Sequence, residues 1–137
     1  MKKCVLILSL IGMMAGQECI DYDGNVYETV QIGDQLWMAE NLKTTHYNNG
    51  DEIPTGFNNE EWDNLVIGAY YNYNNDSSYV DVYGRLYNLY AANDVRGVCP
   101  IGWHVPSFDE WSLLRDYLGG YIIAGGKMKS LGTIENG

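Results

Sequence analysis

Two histidines, His46 and His104, are the only imidazoles that could act as general bases, and Cys4, Cys19 and Cys99 are the only thiols. His104 directly follows Trp103 in Cys99-Pro100-Ile101-Gly102-Trp103-His104-Val105-Pro106, a stretch that reads as scaffold. A structural hydrogen bond is its expected role. His46 lies in a polar segment and is expected at the surface. Glu40 beside Asn41 is expected to hydrogen-bond backbone in a buried turn. Glu40 and Asp109 cannot be paired as acid and base without a distance, because carboxylate separation decides that chemistry. There is no C-x-x-C and no histidine cluster, so no zinc site is expected. Asn72, Asn74, Asn75, Asp76 and Asp81 offer hard oxygens to calcium, but their spacing is not that of an EF-hand. The plainer reading is a solvated loop. No catalytic residue, metal or cofactor is expected from these patterns.

The aromatic residues carry the stronger signal. The chain has 12 tyrosines and four tryptophans, and Tyr70, Tyr71, Tyr73, Tyr79, Tyr83, Tyr87 and Tyr90 fall close together. Tyrosine presents a flat apolar face and a hydroxyl, which suits stacking on sugar rings and peptide recognition. Tyr71, Tyr73 and Tyr79 are the expected ligand-binding residues. The competing reading packs these rings onto the core with their hydroxyls at the surface. Trp37, Trp103 and Trp111 are expected in the core.

Local signals define the elements that would position these side chains. Asp23-Gly24 and Gly33-Asp34 are turn signals around Val26-Tyr27, Thr29 to Ile32 and Leu36 to Met38, which predicts an N-terminal β-hairpin. Residues 47–55 read as loop. Asn59 is the expected cap of a short helix to Leu65, with Glu60 and Glu61 in its first turn. Asn74 to Ser78 is loop by composition. Tyr83 to Ala92 reads as a helix. Ser107 and Glu110 form a capping box, Trp111, Leu114 and Leu118 recur at helical spacing, and Gly119-Gly120 supplies the stop. Ala124-Gly125-Gly126 reads as a turn.

Composition narrows the function class. The length suits one domain. Lys2-Lys3, the apolar run Val5 to Met14 and the small residues Ala15 and Gly16 form a secretory leader over residues 1–15, leaving 16–137 as the mature domain. The run is too short to span a bilayer. Cys19 follows soon after, but Glu18 before it is wrong for a lipidation site, so a lipid anchor is not the expected outcome. Loss of Lys2 and Lys3 takes the formal charge from −10 to −12. Such a chain repels nucleic acid and anionic membranes. Cys19 and Cys99 remain, and an even pair in an oxidising compartment suggests one disulfide.

Several blocks carry a family resemblance. Asp23-Gly24-Asn25-Val26-Tyr27, Thr29-Val30-Gln31-Ile32-Gly33, Trp37-Met38-Ala39-Glu40-Asn41-Leu42-Lys43-Thr44, Tyr83-Gly84 to Tyr90-Ala91, the C-P-x-G-W-H-V-P-S-x-x-E-W core from Cys99 to Trp111, and Ala124 to Lys129 occur in order. From Asp21 to its end the chain resembles the Fibrobacter succinogenes major paralogous domain, a family of secreted and surface proteins. The family looks like a branch of the C-type lectin-like superfamily, which spends many residues on loops. The resemblance implies an α+β, C-type lectin-like fold, here a partial domain with an N-terminal β-hairpin and two or three short helices. Family members continue into a tryptophan- and glycine-rich second half, so this chain reads as the N-terminal part of one domain. The family pattern also offers Cys99 a different partner, a cysteine in that second half.

The expected function is a secreted or surface-exposed bacterial interaction module that binds a polysaccharide or a surface protein and is not an enzyme. Two alternatives stand beside it. One is an enzyme related to the formylglycine-generating fold, which needs reactive cysteines or a metal site. The other is a fragment without independent function.

Overall fold

The computed structural model describes residues 18–128. The expected leader at 1–15 lies outside them. The chain divides into two compact units, one ending at Val105 and one beginning at Pro106.

The first unit is built on three separate antiparallel ladders. Strand β1 (Cys19–Ile20) pairs with β2 (Val26–Tyr27) around the Asp21–Asn25 turn, with Cys19 opposite Tyr27. Strand β3 (Thr29–Ile32) pairs with β4 (Gln35–Met38), with Val30 opposite Trp37. Helix α1 (Asn59–Asp63) follows a long loop. Strand β5 (Tyr70–Asn72) pairs with β6 (Arg85–Tyr87), and helix α2 (Val80–Tyr83) lies between them. Helix α3 (Leu89–Ala92) closes this region. The expected hairpin signals at Asp23-Gly24 and Gly33-Asp34 are met.

The core gathers residues from strands and loops alike. Cys19, Tyr27, Tyr47, Ile53, Tyr70, Ala91, Val98, Cys99 and Trp103 form one buried cluster, with Leu36, Met38, Leu42 and Tyr87 packed on it. Burial of large apolar side chains is the main favourable term in folding. Loop backbone is tied in by hydrogen bonds. The Tyr47 N–H donates to Asp51, the Ile53 N–H to Thr45 and the Tyr70 N–H to Pro54, each through the carbonyl.

Local expectations need correction between 58 and 92. The cap of α1 is Asn58, not Asn59. Its side chain accepts the Glu61 N–H at 3.0 Å, while its own N–H donates to the Glu61 carboxylate at 2.8 Å. The predicted helix 83–92 does not form as one element. Gly84 adopts φ +66°, which a helix cannot contain. The chain turns there into β6, and Asn88 then caps the shorter α3.

The second unit holds helix α4 (Phe108–Tyr117) and helix α5 (Ala124–Met128). The expected capping box is present: the Ser107 hydroxyl faces the Glu110 N–H at 3.4 Å, and the Ser107 N–H donates to Glu110 at 2.8 Å. Gly119, at φ +105°, ends the helix in the left-handed region as expected. Leu114 is buried, but Trp111 is 45 % exposed, so its expected core position is not observed. The expected turn at 124–126 is instead the start of α5. The described residues therefore hold five short α-helices, more than the two or three expected, within a small α+β arrangement.

Candidate functional site

Helix α1 and the β5–β6 ladder together build an aromatic cleft. The α1 capping box fixes the start of the helix and the acidic first turn complements its dipole. That places Trp62 one turn later, half-buried. On the ladder, Tyr71 pairs in register with Leu86. The Trp62 and Tyr71 ring centroids are 5.6 Å apart at 57°, within the range of favourable aromatic pairs. A cavity of about 230 Å3 is lined by Asn59, Trp62, Tyr71 and Leu86. A wider cleft of about 510 Å3 shares Asn59 and Tyr71 with it and adds Phe57, Asn58, Glu60 and Asn75. Asn74 and Asn75 both take positive φ, 52° and 57°, a region where asparagine is enriched among residues with a side chain. The resulting surface combines half-buried rings with exposed amide and carboxylate groups.

The three expected tyrosines are not brought to one place. Tyr71 lines the cleft. Tyr73 and Tyr79 instead pack with Tyr83, with centroids 5.6 Å apart for Tyr73–Tyr79, 4.9 Å for Tyr73–Tyr83 and 5.8 Å for Tyr79–Tyr83. These rings hold the segment between β5 and β6 together, while Tyr73 and Tyr79 keep one exposed side each. Trp62 was not among the residues singled out in the sequence. Its signal was available: a large ring on a helix whose other members are Asn, Glu and Asp.

A second cleft of about 620 Å3 is lined by Thr45, His46, Glu52, Ile53, Pro54, Thr55 and Tyr70. His46 is half-buried here, not freely exposed as expected. Its Nδ1 lies 2.5 Å from Asp23 Oδ1, and its ring packs on Tyr22 at 5.6 Å. Asp23 Oδ2 also accepts the Thr45 N–H at 2.5 Å and the Thr45 hydroxyl at 2.8 Å. Partial burial works against the Asp23 charge, but the bonds from Thr45 and His46 outweigh it, so its carboxyl sits below the ordinary range. Glu52 faces His46 across an isolated antiparallel bridge.

Among the other candidates, Glu40, Asp76 and Asn72 make hydrogen bonds within the fold. Glu40 accepts the Glu28 N–H at 3.1 Å, the expected backbone bond, but on the surface rather than in a buried turn. In the calcium-candidate set, Asp76 caps the Ser78 N–H and Asn72 accepts from Arg85. Among the described residues no group of three or more metal-binding side chains occurs. Cys19 and Cys99 are both buried and both free thiols. Burial foremost, then the neighbouring Cys99 and Asp21, pushes the Cys19 thiol up to about 12. No helix among the described residues is long and apolar enough to cross a membrane.

An α+β unit of short ladders with an aromatic cleft is the class of domain these elements define. The Fibrobacter succinogenes major domain matches residues 30–136, and the chain belongs to that family. No curated protein and no solved structure matches the chain.

Proposed function

We propose that this chain is a non-catalytic interaction module, secreted or held at the bacterial surface, that binds polysaccharide in the Trp62–Tyr71 cleft. The Trp62–Tyr71 ring pair carries this reading, because it is a half-buried apolar platform bordered by Asn59, Asn75 and Glu60. Pyranose rings have an apolar face and a hydroxyl rim, so a ligand of this kind would meet rings on one side and amides on the other. Pockets that combine aromatic walls with a few polar groups are the usual form of binding site. The net charge of −10 opposes nucleic acid as the partner. The leader-like start supports export, and the loop-rich build fits a C-type lectin-like fold.

The test is binding of the full chain to a panel of neutral and acidic polysaccharides. Trp62→Ala and Tyr71→Ala should each weaken binding by about tenfold or more, which corresponds to about 1.4 kcal/mol. Tyr73→Ala should leave binding nearly unchanged while lowering the melting temperature. Equal binding by all three variants would rule out this cleft. Binding to no polysaccharide would overturn the carbohydrate reading and leave a surface protein as partner.

A further inference from the structure

We propose that Cys19 and Cys99 become joined in an intramolecular disulfide that ties the first strand to the segment after α3. Both side chains lie in one buried cluster of the first unit, at 1 % and 8 % exposure. Each is held by a fixed backbone. Cys19 stands opposite Tyr27 in the β1–β2 ladder. Cys99 is positioned by Asn48, whose amide donates to the Cys99 carbonyl at 2.9 Å and whose N–H donates to Gly97 at 2.9 Å. Cys99 is near enough to oppose ionisation of the Cys19 thiol.

The other uses of a cysteine do not suit this site. A nucleophile or metal ligand must be a thiolate, and it must be reached from solvent. Cys19 is buried and its thiol is pushed up to about 12. No third metal-binding side chain joins the two sulfurs among the described residues. A crosslink needs neither access nor a low pKa once the core has closed.

The bond forms by exchange with an external disulfide, such as oxidised glutathione or a protein dithiol oxidant. One protein thiolate attacks that disulfide and displaces a thiolate, giving a mixed disulfide. The second protein thiolate attacks the sulfur of the first, and the second external thiolate leaves. The protein loses two protons and two electrons, and the oxidant is reduced to two thiols. Because Cys19 is buried in the finished fold, exchange takes place while the chain folds. The bond closes a loop of about 80 residues, a length for which chain-entropy stabilisation is large. It does not depend on the carbohydrate reading.

The decisive measurement is a non-reducing peptide map of the full chain after refolding in mixed reduced and oxidised glutathione, with free thiols alkylated. The expected result is a linked peptide pair containing Cys19 and Cys99, lost on reduction. Reduction should also lower the melting temperature by more than about 10 °C. Cys4→Ser should keep the link. Folded protein with both cysteines alkylated, or with either joined to Cys4, would overturn the proposal. So would a Cys19–Cys99 link whose reduction leaves the melting temperature unchanged. The map uses unsubstituted protein, so a Cys19→Ser or Cys99→Ser variant that fails to fold does not blunt the test.

Discussion

The Tyr27 hydroxyl donates to Asp21 Oδ2 at 2.5 Å and accepts the Lys43 N–H at 2.9 Å. One phenol therefore joins the first turn to the segment after β4. Tyr27 is 3 % exposed and Asp21 6 %, so neither oxygen can turn to water for a replacement partner. Tyr27→Phe keeps the ring packing and removes only this bridge. It should cost about 1–3 kcal/mol, the range for leaving buried polar groups short of a partner. Chemical denaturation with an unchanged m-value would confirm it, and a loss below about 0.5 kcal/mol would sink it.

Acid should weaken the fold through specific carboxylates. Hydrogen bonds hold Asp23 below its ordinary value, and the Arg96 guanidinium holds Asp94 at about 2. A carboxyl with a depressed folded-state value binds protons more readily when unfolded. Its contribution is then complete above the ordinary value of 3.8 and is lost as pH falls toward the folded value. The melting temperature should therefore drop between about pH 5 and about pH 2. Asp23→Asn and Asp94→Asn should each flatten that slope. A slope identical to the parent in both variants would refute the assignment.

Gly84 should not tolerate a side chain. A Cβ there would lie 2.6 Å from Asn41 Cβ and 2.7 Å from the Leu42 carbonyl, at φ +66°. Gly119 at φ +105° has only ordinary contacts, the nearest at 3.5 Å. Gly119→Ala should cost about 1 kcal/mol from conformation alone, and Gly84→Ala more than about 2 kcal/mol. Equal melting temperatures for the two variants would contradict the steric argument.

Asn88 makes three bonds with one amide. Its Oδ1 accepts the Ala91 N–H at 2.9 Å and the Ala69 N–H at 3.1 Å, and its Nδ2 donates to the Ile67 carbonyl at 2.8 Å. Asn88→Ala removes a helix cap and a tertiary tie, for a cost of about 2 kcal/mol. Asn88→Asp keeps the acceptor and the α3 cap but turns a carboxylate oxygen toward the Ile67 carbonyl, and the retained cap should still leave it more stable than Asn88→Ala. The order of the two melting temperatures is the readout.

What could be read in the sequence was what is encoded locally. The Ser107–Glu110 box and the Asp23-Gly24 turn lie within a few residues, and both formed as expected. At α1 two adjacent asparagines competed for the cap, and Asn58 won because it sits three residues before Glu61. The β5–β6 ladder went unseen because Tyr71 meets Leu86 across an intervening segment, and no local pattern specifies that partner. The same reason hid the sites. Tyr71 stood out by its type, but its neighbour Trp62 comes from another element. Asp23 and His46 are far apart in sequence, and only folding shows that one orients the other. Trp111 was misplaced because spacing marks one face of a helix without saying how much of it is covered.

The three two-residue to four-residue ladders also determine where amide protons are kept. Each described strand has one strand neighbour, so an outward N–H group that meets no loop carbonyl exchanges with solvent even while the fold persists. The slow amides should instead be those of Tyr47 and Ile53, whose donors reach Asp51 and Thr45 beneath buried side chains. Deuterium exchange would then mark irregular chain as the most protected part of the first unit, and its kinetic heart would lie in segments that secondary structure alone calls loop.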